Sequence, residues 1–190
     1  MGAFEDRIRW NHRYSRAGFS PDWAPDVHLV TRLSDLPGGR ALDVACGVGA
    51  NALFLAKRGW EVHAVDLSDV AIERLRRAAS AEGVLKQIRL ELADLSTWDF
   101  PENAYEVVIC TRFLDRSLCS KLVRALVPGG VLYYRSYTMD HLEKKPDFER
   151  ERLLAPGELQ VLFSDLLEMH YEELVEEETV TAAYLGQKPT

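Results

Sequence analysis

The chain has only three cysteines in 190 residues, Cys46, Cys110 and Cys119, an odd number with no C-x-x-C pair. That argues against a disulfide framework and against a zinc site, so no metal is expected. No apolar run approaches the roughly 20 residues that span a bilayer. The first residues, with Glu5, Asp6, Arg7 and Arg9, hold no signal-peptide core, so the expectation is a cytoplasmic protein with no membrane partner. An excess of positive charge is also missing. The net charge of −7 opposes general nucleic-acid binding, because phosphate backbones reward clustered Lys and Arg. There is no internal repeat and no low-complexity tract. What remains is an ordinary globular composition, 47% hydrophobic and 28% charged, which predicts one domain over residues 1–190. Within it, residues 1–36 read as an N-terminal helical cap and 40–190 as the core.

The most informative stretch is Ala41-Leu42-Asp43-Val44-Ala45-Cys46-Gly47-Val48-Gly49, a short apolar strand running into a glycine turn, with a helical segment from Ala50 to Lys57 directly after it. Two near-adjacent glycines let backbone N–H groups and a helix N-terminus approach a polar ligand. The third glycine of the dinucleotide fingerprint G-x-G-x-x-G is absent, with Ala52 in its place, a substitution that by itself excludes little. More telling is Asp43, an acid inside the strand and ahead of the glycines, placed to receive an ammonium group of the ligand. The next apolar run, Glu61 to Asp66, ends in an acid close to the offset at which such folds hold a ribose.

Downstream, strand and helix patterns alternate. A helical period over Asp22 to Leu36 precedes the first strand. After Asp66, Ser68 caps a helix with an apolar stripe at Val70, Ile72, Leu75, Ala78 and Ala79. Ile88 to Leu92 reads as strand three and Tyr105 to Cys110 as a strand buried on both faces. A helix over Ser117 to Leu126 is stopped by Pro128-Gly129-Gly130, and Val131 to Tyr137 is strand five. A helix near Pro156 to Phe163 follows. The last two β-rich runs, Leu167 to Leu174 and Thr179 to Leu185, lie too close for a parallel crossover and must form an antiparallel hairpin. The fold class predicted is α/β: a three-layer, doubly wound, Rossmann-like sheet, mostly parallel with an antiparallel C-terminal hairpin.

Acid-x-x-x-Gly-x-Gly resembles the first motif of class I S-adenosylmethionine-dependent methyltransferases, departing at Ala45, where glycine is common, and the closing hairpin resembles theirs too. Trp10-Asn11-His12-Arg13-Tyr14, the continuation Gly47-x-Gly49-x-Asn51 and Pro156-Gly157-Glu158-Leu159 resemble the tellurite-resistance and thiopurine-methyltransferase-like group. The resemblance implies S-adenosylmethionine as cofactor, with S-adenosylhomocysteine as product. It also implies that the Asp43–Gly49 loop, with Ala45, Gly47, Gly49 and Asn51, holds the methionine part. Asp66 and Leu67 would take the ribose, Asp94 and Leu95 the adenine, and Thr111 at the end of strand four would complete the site. Trp10 and Tyr14, four residues apart, would share the face of a lid.

A sulfonium methyl is already activated, so a thiol, selenium or tellurium acceptor needs little or no base. For an oxygen or nitrogen acceptor the available bases are Asp115, Asp140 and His141, and no spacing argument selects one. Arg112, Arg116 and Arg135 are placed to receive an anionic substrate or to form structural ion pairs. A small-molecule methyltransferase is the leading expectation. The alternative is a non-catalytic S-adenosylmethionine-binding sensor or interaction protein.

Overall fold

The computed structural model describes residues 3–16, 23–33 and 36–190, arranged in two compact units, Met1–Asp99 and Phe100–Thr190. Seven strands form one mixed sheet. The first unit holds α1 (Ala3–Ser15), α2 (Val27–Leu33), β1 (Arg40–Val44), α3 (Ala50–Lys57), β2 (Glu61–Asp66), α4 (Asp69–Ala81) and β3 (Ile88–Leu92). Its strands run parallel in the order β3-β2-β1. Ala41, Leu42, Asp43 and Val44 are all buried, the mark of a strand covered on both faces, and α3 is buried nearly all round. In α4 the inward stripe is Ala71, Ile72, Leu75 and Ala79, and the Ser68 hydroxyl caps the helix by accepting from the Ala71 N–H at 3.1 Å. Gly49 makes this packing possible. A Cβ there would lie 2.4 Å from the Leu75 methyl groups, and its φ of 82° is left-handed.

The second unit holds β4 (Tyr105–Thr111), α5 (Cys119–Ala125), β5 (Leu126–Tyr137), α6 (Glu158–Leu162), β6 (Leu167–Val175) and β7 (Val180–Gln187). β4 and β5 are parallel, while β7 pairs antiparallel with both β5 and β6. The predicted closing hairpin is therefore present, and its strands reach the order β5-β7-β6. The core is aromatic: Tyr134, Phe163 and Tyr184 are buried, with ring centroids 5.2 and 5.5 Å apart in that succession.

Local boundaries depart from the sequence reading where side chains and ladders compete. The helix predicted over Asp22 to Leu36 is shorter in the described residues, because Asp26 Oδ1 accepts from the N–H groups of His28 and Leu29 and so sets the start of α2. Asp22, Ser34 and Asp35 lie outside the described residues. The Pro128-Gly129-Gly130 stretch is not a loop between a helix and a strand. β5 begins at Leu126, pairs there with Tyr105, and carries the three residues as a bulge, with Gly129 N–H donating to the Lys188 carbonyl at 2.9 Å.

Candidate functional site

Parallel pairing puts the carboxyl ends of β1, β2 and β3 side by side. Beyond β1 the ladder continues through Cys46 N–H to the Val65 carbonyl, and beyond β3 through Ala93 N–H to the Asp66 carbonyl. The glycine turn, Asp66 and the turn at Asp94 therefore share one edge of the first unit, where ligands of open α/β sheets bind. Ala45 is the departure from the motif. It takes φ 53°, the left-handed conformation that a glycine would supply without strain.

Asp66 organises the turn. Its Oδ2 accepts from Gly47 N–H at 2.7 Å and its Oδ1 from Ser68 N–H at 2.8 Å. A carboxylate offers about four acceptor positions, so two remain for ligand hydroxyls. Burial raises its pKa, opposed by the N–H groups of Ser68, Gly47 and Leu67. Asp43, one strand away, is 1% exposed, and its Oδ2 has no hydrogen-bond partner. Burial first, and then the charge of Asp66, push Asp43 up to about 7, against a backbone bond from Ala52. A buried carboxyl held near neutrality beside a second acid favours a cationic visitor. The same burial and the same two acids drive the Cys46 thiol far up, so it stays protonated. Cys46 is half-buried in the turn, whereas Cys110 is buried.

α1 comes over this turn. A Cβ on Gly47, whose φ is 55°, would lie 2.9 Å from the Tyr14 hydroxyl, and Trp10 stacks on Tyr14 with centroids 5.8 Å apart. The helix is held by a latch that the sequence reading missed. Ser68 Oγ donates to Asn11 Oδ1 at 2.6 Å, and Asn11 Nδ2 and Arg7 Nε donate to Asp69 Oδ1 at 2.7 and 3.0 Å. The available signal was Asn11 one helical turn after Arg7, facing the capping pair Ser68-Asp69. The Arg9 and Arg13 guanidinium groups lie 5.7 and 5.5 Å from the Trp10 ring.

The other predicted residues of this unit have additional duties. Asn51 Oδ1 accepts from Asp26 N–H at 2.9 Å, tying α3 to the segment before α2. Asp94 Oδ1 accepts from Ser96 N–H and Oγ, closing an Asx turn, while Leu95 is buried. Trp98 steadies that turn: its N–H bonds the Asp94 carbonyl, and its indole donates to Glu91 Oε1 at 2.7 Å, Glu91 being also paired with His63.

In the second unit Thr111 ends β4, half-buried. Beyond it the three arginines separate by role. Arg135 is 4% exposed and committed to Thr181 Oγ1 and Glu176. Arg116 clamps Glu158 and the carbonyls of Glu151 and Leu153, which explains Glu158 in the Pro-Gly-Glu-Leu stretch. Arg112 is exposed. Asp115 caps the following turn, accepting from Ser117 N–H and Oγ through Oδ1. His141 is buried, and its Nδ1 accepts from Val180 N–H at 3.3 Å, which leaves the ring hydrogen on Nε2. Burial and the charge of Lys145 lower its pKa.

Residues 41–130 match the family profile described as a methyltransferase domain. Among curated proteins, sterol 24-C-methyltransferase ERG6B of Gibberella zeae is 25% identical over 138 residues, covering 70% of this chain and 36% of that protein. The chain spans 34–40% of the length of the first curated relatives it matches. Two solved structures share the fold. One concerns conversion of a disulfide bond into a thioacetal group during echinomycin biosynthesis, with TM-score 0.78, 21% identity and coverage of 96% of this chain and 91% of that one. The other is TehB from Haemophilus influenzae, with TM-score 0.74, 20% identity and coverage of 94% and 67%. Residues 41–130 thus resemble a methyltransferase domain, and the chain shares the fold of TehB.

Proposed function

We propose that the protein transfers the methyl group of S-adenosylmethionine to a small-molecule acceptor. The observation that carries this reading is Asp43: a carboxyl oxygen fully buried at the root of a glycine turn, without a partner in the protein, is satisfied by a ligand bearing positive charge. The residues present fit the cofactor. Gly47 and Gly49 give the left-handed turn that lets Tyr14 and Leu75 pack against it, Ala45 and Asn51 shape and brace the turn, Asp66 with Leu67 offers its remaining acceptor positions to the ribose, and Asp94 with Leu95 flanks the base. Trp10 and Tyr14 cover the turn from α1. When bound, the cofactor supplies an electrophilic methyl group. The protein binds and orients it and excludes water beneath α1.

The engagement of His141 Nδ1 by a backbone N–H and the capping role of Asp115 favour an acceptor that needs no strong base, such as a thiol or a reduced selenium or tellurium species. The test is S-adenosylhomocysteine formation with thiols, selenite and tellurite, beside calorimetry of S-adenosylhomocysteine and NADH. Turnover with a soft acceptor supports the reading. Tight cofactor binding without turnover on any acceptor class would assign the chain to sensing instead, and NADH binding with no response to S-adenosylhomocysteine would overturn the cofactor itself.

A further inference from the structure

Glu91, on the edge strand β3, is the meeting point of three donors. His63 Nε2 reaches its Oε2 at 2.7 Å, Arg89 Nη2 reaches the same oxygen at 3.0 Å, and the Trp98 indole Nε1 reaches its Oε1 at 2.7 Å. The parallel register pairs His63 with Arg89 and Val65 with Glu91, so His63, Arg89 and Glu91 rise from one face of the sheet. His63 is buried, and its ring meets the Trp98 indole edge-on with centroids 5.5 Å apart. Burial raises the pKa of Glu91, but the bonds from Trp98 and His63 and the charges of His63 and Arg89 outweigh it and hold the carboxyl below its usual range. A charged carboxylate only accepts, so the hydrogen of the His63–Glu91 bond belongs to the ring.

This convergence fixes Trp98 at both of its ends. Its backbone N–H donates to the Asp94 carbonyl at 2.9 Å, and its indole returns to Glu91, 7 residues earlier, so the chain from 91 to 98 closes into a ring. The start of the ring is tied to β2 through Ala93 N–H, which donates to the Asp66 carbonyl at 3.0 Å. Asp94 lies on this ring, half-buried. Its Oδ1 is taken by Ser96 N–H and Oγ at 3.0 and 2.8 Å, whereas among the described residues Oδ2 keeps its acceptor positions. A carboxyl oxygen so placed rewards an amino donor and repels a carbonyl oxygen. The discrimination holds only while the acceptor stays within hydrogen-bond geometry of the base.

We propose that Glu91 and Trp98 are positioning residues for the cofactor's base, holding Asp94 where it selects an amino-bearing base over an oxo-bearing one. This rests on the S-adenosylmethionine reading, which assigns the adenine to Asp94 and Leu95. The test is calorimetry of the cofactor-free protein with S-adenosylhomocysteine and with S-inosylhomocysteine, whose base carries oxygen in place of the amino group. The native protein should prefer the adenine ligand roughly thirtyfold or more, the ratio for one hydrogen bond to a charged group. Trp98→Phe keeps a ring against His63 but has no indole N–H, and Glu91→Ala has no acceptor. Each should cut the preference roughly fivefold or more, chiefly by weakening the adenine ligand. Glu91→Gln, whose amide oxygen still accepts from the indole, should retain most of it. A general loosening of the fold weakens both ligands alike and leaves the ratio unchanged, and that result overturns the proposal. A second measurement uses the native protein alone. Coupling between ligand and network is reciprocal, so the Trp98 indole N–H should exchange with solvent more slowly under saturating S-adenosylhomocysteine than under saturating S-inosylhomocysteine. Equal exchange with the two also overturns the positioning role. Binding of neither ligand by the native protein would remove the cofactor reading and this role with it, whereas S-adenosylhomocysteine binding with an unaltered preference in the variants removes the positioning role alone.

Discussion

At the scale of single residues, the binding edge trades stability for ligand affinity. Asp43 has its pKa raised from 3.8 to about 7, so between those values the native state holds a proton that the unfolded chain releases. Stability from this group is therefore greatest below pH 4 and is lost as pH rises through 7. Asp43→Asn should melt at a higher temperature than the native protein above pH 7, with the gain shrinking toward pH 4. The same variant should bind S-adenosylhomocysteine more weakly by roughly 1.5–3 kcal/mol, the range for a hydrogen bond to a charged group. Native affinity should climb as pH rises through 7, and calorimetry across pH 5.5–8.5 checks it. Ala45 offers a second trade. Left-handed backbone costs about 1–2 kcal/mol without glycine, and the extra unfolded freedom of glycine returns about 0.4–1 kcal/mol. Ala45→Gly should therefore stabilise by roughly 0.5–1 kcal/mol, a rise of about 1–4 °C in Tm by calorimetry.

Asp66 braces the turn in the fold, and the proposed function gives the same carboxylate a ligand to hold. Asp66→Ala strips partners from the buried N–H groups of Gly47 and Ser68, each loss costing about 1–3 kcal/mol. It should lower Tm as well as affinity, so a denaturation curve distinguishes it from a purely ligand-contacting residue, whose removal leaves Tm of the cofactor-free protein unchanged.

At the scale of elements, the informative contact is that of α1 with α4. Exposed pairs such as Arg7–Asp69 contribute at most about 1 kcal/mol. The hydrogen bond between Ser68 and Asn11 contributes about 0.5–1.5 kcal/mol. Asn11→Ala removes its own bonds to both Ser68 and Asp69. It should speed S-adenosylhomocysteine dissociation by roughly tenfold, equivalent to about 1.4 kcal/mol, while denaturation of the sheet is unchanged. Stopped-flow displacement measures the rate. The Asn11 amide and then Arg7 hold Asp69 below the usual carboxylate range, so the latch is complete at neutral pH and loosens as acid protonates that carboxyl.

At the scale of the whole molecule, a net charge of −7 and the proposed reading of the ligand by buried carboxylates predict that cofactor affinity changes little between 50 and 300 mM salt. RNA and DNA should not be retained at the higher concentration. Steeply salt-dependent nucleic-acid binding by the intact chain would reverse the second expectation.

The sequence by itself determined the order of strands and helices, the glycine turn and the acids at the ends of β1, β2 and β3, because these follow from periodicity, chain reversal and the spacing between strand ends. It also determined the antiparallel hairpin, since Val175 to Thr179 is too short to cross a sheet. Only the tertiary structure decided which charged groups are already committed. Arg116 and Arg135 meet Glu158 and Glu176 across 42 and 41 residues of chain, and the Nδ1 of His141 is taken by a backbone N–H 39 residues away. The start of β5 at Leu126 and the latch from Asn11 to Ser68 depend likewise on distant partners. Periodicity is local, whereas hydrogen bonding and ion pairing depend on which distant groups the fold brings within about 3 Å, and that distance no stretch of sequence contains.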